Sequence, residues 1–229
     1  MKRNQNPIAV DSKKLEEMLR AEFNGDNPPT VCIESGTWQG VGSTTVIIRA
    51  YTESKQKAPF NLYTIESNIP SFEQAKRNLK DFDWVHPMSG MSVDYNEATD
   101  FIANDAFLTH EHDLEILVDT NGDMKNYYLT EISPRCTGGP VPGNLLRILI
   151  DRYDHRRILF CLDSSGGVGW LEWNVVKKEM GDMGYLIVTD DVNHVKHYRS
   201  YQDVMANEDG RWNLIWTDGR VMLAERLPV

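Results

Sequence analysis

Three loops that follow β-rich runs carry the residue types best suited to hold a ligand. The first, Glu34-Ser35-Gly36-Thr37-Trp38-Gln39-Gly40-Val41-Gly42-Ser43, sets three glycines between a short apolar run and a helical one. Such glycines let the chain turn sharply and let a ligand approach the main chain at a helix N-terminus, as dinucleotides and nucleosides do. Their order, G-x-x-x-G-x-G, is neither the G-x-G-x-x-G of dinucleotide enzymes nor a P-loop, which would also need Lys-Ser or Lys-Thr. The second loop begins at Glu66-Ser67, where an acidic side chain at a strand end can accept hydrogen bonds from both hydroxyls of a ribose. In the third, Ser89-Gly90-Met91-Ser92, glycine permits close approach, methionine packs on flat rings and serine offers a hydroxyl. That combination suits an adenine edge, and Trp38 would border the same ligand.

The elements that must position these loops alternate. Apolar Leu15, Met18, Leu19 and Phe23 recur at helical spacing behind Asp11 or Ser12, so an N-terminal amphipathic helix is expected within residues 1–28, packed outside the main sheet. Thr30–Glu34 reads as strand and Thr44–Tyr51 as helix; Leu62–Ile65 and Phe72–Leu79 repeat the pattern, as do Trp84–His86 and an acidic helix near Glu97–Ile102. Three βα units in a row predict a parallel, doubly wound α/β sheet, because right-handed crossovers are the common way to join such strands. The alternation then breaks over 108–150. Leu114–Val118 and Tyr127–Glu131 flank Asn121-Gly122-Asp123, which predicts an inserted β-hairpin. Ser133–Gly143, rich in proline and glycine, predicts a loop, either a mobile lid or a plain connector. Helix at Leu145–Tyr153, strand at Ile158–Leu162, helix at Leu171–Met180, strand at Tyr185–Val188 and a helix around Tyr201–Met205 complete the core. Trp212–Trp216 and Val221–Ala224, joined by an Asp-Gly turn, predict a closing antiparallel hairpin, for seven sheet strands in a single domain over 1–229.

Composition narrows the partners. Twenty-four basic against thirty-four acidic side chains give a formal charge of −10, with no segregated basic patch, which disfavours nucleic acid and anionic membrane. No apolar run approaches the length of a bilayer span, and the N-terminus lacks the apolar stretch of a signal peptide, so the chain reads as cytoplasmic. Cys32, Cys136 and Cys161 stand at no metal-ligand spacing and read as buried, reduced thiols. His110-Glu111-His112-Asp113 matches no zinc motif. Trp170, Trp173, Trp212 and Trp216 read as core or sheet-face residues.

Taken together, Glu34-x-Gly36 with Gly40 and Gly42, Glu66 at the second strand end and Gly90-Met91-Ser92 resemble the nucleoside-binding motifs of Rossmann-type S-adenosylmethionine-dependent methyltransferases. The terminal hairpin resembles their reversed last strand, and the motif order spans nearly the whole chain apart from 108–150. The resemblance implies S-adenosylmethionine as cofactor, held by Glu34, Gly36, Thr37, Trp38, Gly40, Gly42, Ser43, Glu66, Ser67, Gly90, Met91, Ser92 and Asp163. It further implies that Asp163, Asp190 and Asp191 correspond to the metal-binding carboxylates of catechol-type and macrolide-sugar-type O-methyltransferases. Mg²⁺ would be the ion, since it takes oxygen ligands. Consecutive Asp190 and Asp191, converging on Asp163, would repel one another unless a cation or protons neutralised them. Catechol-type enzymes carry a lysine where this chain has Gly166, and some sugar enzymes an acidic residue where it has Ser165. His194, Lys196 and His197 are then the nearest titratable candidates for the general base, and Asp163 is the further catalytic candidate through its place among the metal carboxylates. The expected activity is metal-assisted O-methylation of a small hydroxylated acceptor, and an exposed N-terminal helix would suit a homodimer. A nicotinamide-dependent oxidoreductase and a non-catalytic protein on the methyltransferase fold are the competing readings.

Overall fold

Strands β1 (Val31–Ser35), β4 (Ile158–Leu162) and β5 (Tyr185–Thr189) are buried along their whole length, as strands covered on both faces by helices must be. The computed structural model describes residues 12–55, 59–109, 114, 123–164 and 167–229. With β2 (Asn61–Glu66), β3 (Val85–Ser89), β6 (Trp212–Thr217) and β7 (Met222–Arg226) the strands form one seven-stranded sheet in the order β3-β2-β1-β4-β5-β7-β6. Strands β3 to β5 run parallel, and β7 lies antiparallel between β5 and β6. The strand order reverses between β1 and β4, which opens a crevice at their carboxyl ends.

The period of two along each strand divides the core into two layers. Val31, Ile33, Ile158, Phe160, Tyr185 and Ile187 face one side, where they meet α4 (Tyr95–Asn104), α8 (Leu145–Tyr153), α9 (Gly169–Met180) and α10 (Tyr198–Ala206). Cys32, Leu159, Cys161, Leu186 and Val188 face the other, under α1 (Ser12–Phe23), α2 (Ser43–Thr52) and α3 (Ile69–Leu79). Helix α1 sits outside the sheet as its spacing predicts, and Leu15, Leu19 and Phe23 are buried in that layer. Its apolar face is thus packed on the chain's own core. Cys32 and Cys161 are buried, whereas Cys136 is exposed, contrary to the expectation of three buried thiols.

The expected hairpin is corrected. Tyr127–Glu131 belongs to helix α6 (Met124–Glu131), while its proposed partner, apart from Leu114, lies outside the described residues, as does the His110–Asp113 cluster. The Asp that follows Asn-Gly acts as a helix cap: the Asp123 carboxylate accepts from Asn126 N at 3.1 Å. One turn of helix then brings the Tyr127 hydroxyl 2.6 Å from Glu131 Oε1, and Tyr128 is buried. Two short helices, α5 (Ala106–Thr109) and α7 (Pro134–Thr137), flank α6. The proline- and glycine-rich segment is held down at both ends of the crevice wall. Asn68 Nδ2 donates to Cys136 O at 2.7 Å, and Met91 N donates to Pro142 O at 2.8 Å.

Candidate functional site

The first glycine loop owes its shape to packing against its own neighbours. Gly36 has φ +84°, and a Cβ there would lie 2.1 Å from the carbonyl oxygen of Asp163, so no other residue fits between β1 and the end of β4. Glu34 lies beneath the loop and is completely buried. Its Oε1 accepts from Ser43 Oγ at 2.7 Å, and its Oε2 accepts from Thr44 at 2.7 Å and Thr64 at 2.6 Å. Burial raises its carboxyl, and those three hydroxyls oppose the rise. Thr37, also buried, is hydrogen-bonded to Thr64. Glu34, Thr37 and Ser43 therefore tie β1, β2 and α2 together beneath the loop. Gly42 is the N-cap of α2 without a side-chain cap bond, and the space beside it is open. Trp38 is exposed on the rim, and Gly40 turns under it at φ +72° against Leu79.

Glu66, at the end of β2, is by contrast only partly buried. Its Oε2 accepts from Trp38 N at 2.6 Å and its Oε1 from Asn68 N at 2.7 Å, so two backbone donors fix the plane of the carboxylate while each oxygen keeps accepting capacity. Burial lifts this carboxyl to about 7, moderated by the amides of Asn68, Trp38 and Ser67.

The third loop differs from expectation. Gly90 is needed because Leu145 Cδ1 and Pro142 O would lie 2.4 Å and 2.7 Å from a Cβ there, an approach made by the chain and not by a ligand. Both main-chain groups of Met91 are used, its amide by Pro142 and its carbonyl by Leu145 N at 3.1 Å, and its side chain joins the core. Ser92 is likewise buried. Pro142, Leu145 and Leu146 thus pack against Gly90, Met91 and Ser92.

The acidic residues do converge. Oxygens of Asp163, Asp190 and Asp191 lie within 4.8 Å of one another, the group of metal-ligand type found among the described residues. Asp163 follows β4, and Asp190 and Asp191 follow β5, with Asp191 at φ +59° in a tight turn. The cluster is nevertheless filled by cations of the chain. Lys196 Nζ stands 3.0 Å from Asp163 Oδ1 and 3.1 Å from Asp191 Oδ2. Arg220 Nε, from the turn between β6 and β7, stands 3.3 Å from Asp190 and 3.2 Å from Asp191. Oxygen donors suit a hard divalent ion, but one could enter here only by displacing a buried ammonium, so the residues as placed do not fit it. Burial lifts Asp190 to about 7, with Asp163 and Asp191 adding to the rise; burial likewise lifts Asp163 to about 6, against the pull of Lys196. Asp191 stays below its ordinary value because Lys196 and Arg220 outweigh its burial.

Those surroundings shift the protonation of the base candidates in different directions. Burial works against the Lys196 ammonium, yet Asp163, Asp191 and Asp190 outweigh it and raise its pKa, so it is a charged donor and not a general base. His197 is fully buried, and burial drives its ring well below the ordinary range, so the imidazole is neutral. Burial brings His194 down to about 4, and its Nδ1 accepts from Lys196 N at 3.2 Å. Asp163 is the carboxylate of the cluster most open to solvent, at 20% of its side chain.

Two participants escaped the sequence. Arg220 is delivered by a turn in which Asp218 Oδ1 accepts from Arg220 N at 2.9 Å and Val221 N at 2.8 Å. Glu172 on α9 is completely buried and accepts from Ser164 Oγ at 2.6 Å. Burial raises its carboxyl, opposed by Ser164, Ser92 and Ser35 from three different strand ends. An acidic residue inside the apolar run Leu171-Glu172-Trp173 was the available signal for it.

No protein-family model matches the sequence, and no curated protein matches it. Solved structures do. An O-methyltransferase from Bacillus cereus in complex with SAH superposes with a TM-score of 0.51 at 12% identity, over 96% of this chain and 81% of that one. An SAH-bound methyltransferase from Podospora anserina gives 0.49 at 11% identity, over 95% and 78%. The strand order, the reversed β7 and the superposition agree: this chain has the Rossmann-like fold of S-adenosylmethionine-dependent methyltransferases.

Proposed function

We propose that this chain is an S-adenosylmethionine-dependent methyltransferase that methylates a hydroxyl of a small molecule. The observation that carries the reading is Glu66, an acidic side chain at the end of β2, the strand next to the β1–β4 switch point, braced by Trp38 N and Asn68 N with accepting capacity left on both oxygens. Glu66 would bind both ribose hydroxyls, the open α2 N-terminus at Gly42 would face the anionic end of the ligand, and Trp38 would shield it from water. When bound, S-adenosylmethionine supplies an electrophilic methyl carbon on a sulfonium. Asp163, beside Gly36, would take up the proton that an acceptor hydroxyl gives up, and Lys196 would hold the acceptor oxygen or Asp163 in register.

The metal-assisted version of this reading rests on the acidic cluster alone, and the ion pairs of Lys196 and Arg220 speak against it. A non-catalytic protein on the same fold is the second reading, favoured by the hydrogen bond that closes Pro142 over Met91. Among the described residues no helix is long and apolar enough to cross a membrane, which accords with a small polar acceptor met in water. Calorimetric titration with S-adenosylhomocysteine and with NAD tests the donor site: binding of the first and not the second is expected, and the reverse would replace the proposal with an oxidoreductase. Transfer of labelled methyl groups to a panel of phenols and sugar hydroxyls separates the enzyme from the binding protein.

A further inference from the structure

The residues that most resemble a metal site are those whose charge the chain itself has already met. We propose that Lys196 is the resident cation of the Asp163–Asp190–Asp191 cluster and, with Arg220, takes the place of a divalent metal, so that the site is built to work without one. The placement of the lysine is specific. Its Nζ bridges Asp163 from β4 and Asp191 from the loop after β5, at 3.0 Å and 3.1 Å. The stem is threaded under the first residue of α9: a Cβ on Gly169 would lie 2.6 Å from both Lys196 Cγ and Lys196 O. The turn that carries it is fixed by His194 N donating to Asp191 O at 3.0 Å and His197 N donating to His194 O at 3.1 Å.

Lys196 is buried, so an incoming ion could not send the ammonium into water without unthreading this turn. Arg220 closes the far side, leaving three carboxylates opposed by two fixed cations. An ammonium is a compact point charge with three donors, enough to bridge two carboxylates and meet one further oxygen. This inference rests on the methyltransferase reading only in assigning that third donor to the acceptor.

The test is cation binding. Mn²⁺ titrated into the whole protein and followed by electron paramagnetic resonance should show no stoichiometric site in the parent. Lys196→Ala and Lys196→Gln should each gain one site per chain, at least about tenfold tighter than any in the parent, because three carboxylates then face one arginine. The gain should vanish when Asp163→Asn is added. A merely structural lysine would not create a metal site when removed. One tight Mn²⁺ site in the parent, or a melting temperature of the parent that rises with Mn²⁺, would overturn the proposal even if the variants fail to fold. Folded variants that bind no Mn²⁺ would overturn it too. Where methyl transfer is measurable, full activity in excess EDTA is expected, and loss restored by Mg²⁺ would refute it; if no transfer is ever found, the Mn²⁺ result still stands by itself.

Discussion

Glu66 makes donor binding depend on pH in a direction that can be worked out. Burial lifts its carboxyl from 4.5 to about 7 in the ligand-free protein. A ribose offers hydroxyl donors, so the ionised form is the one that binds through two charge-assisted bonds. If only that form binds, the apparent Kd scales inversely with the ionised fraction, which falls about tenfold between about pH 8 and about pH 6. S-adenosylhomocysteine should therefore bind about tenfold more weakly at the lower pH, read by calorimetry in buffers of matched ionisation heat. Glu66→Gln should abolish this dependence and weaken binding at about pH 8 by roughly 1.5–3 kcal/mol. Stability moves the opposite way. The folded state holds this proton more tightly than the unfolded state, so the destabilisation is absent below about pH 4.5 and grows as pH rises through 7. At about 1.4 kcal/mol per unit it reaches on the order of 3 kcal/mol, and Glu66→Gln should remove it. A Kd that is flat from about pH 6 to about pH 8 in the parent, or unchanged in the variant, would refute the assignment of Glu66 to the ribose.

Other consequences follow from the packing. Gly36→Ala should destabilise the fold by about 3–5 kcal/mol in urea titration, because its Cβ would strike Asp163 at a φ of +84°. Glu34→Gln should cost about 2 kcal/mol in the same assay, since an amide NH₂ would confront hydroxyl donors that now point at a carboxylate; a neutral effect would show that those hydroxyls turn to accept from the amide and refute the argument. In hydrogen exchange the Met91 and Leu145 amides should be protected in the ligand-free protein yet exchange faster than β1, and donor binding should change their rate if residues 138–145 must shift to admit a base. Unchanged rates on addition of S-adenosylhomocysteine would make that segment a fixed wall.

What could be read beforehand depended on whether the cause was local. The strand–helix alternation, the burial of Val31–Ser35 on both faces and the turn at Gly36 are written in neighbouring residues, and the structure has them where the pattern puts them. Tyr127–Glu131 misled because tyrosine and threonine favour strands only in the context of a sheet; with Asp123 as cap, the same residues close a helical turn. Gly90 was readable as a close approach, but nothing in one sequence says whether a ligand or Pro142 is the approaching body. The acidic cluster is the sharpest instance. Like charges at Asp190, Asp191 and Asp163 require neutralisation, and that inference needs no structure. The identity of the neutralising cation does, because Lys196 and Arg220 reach the cluster from a folded turn and from the last hairpin, and their sequence positions show neither path. A resemblance of carboxylates thus transfers the need for positive charge from one protein to another, and the element that supplies it has to be found in each chain anew.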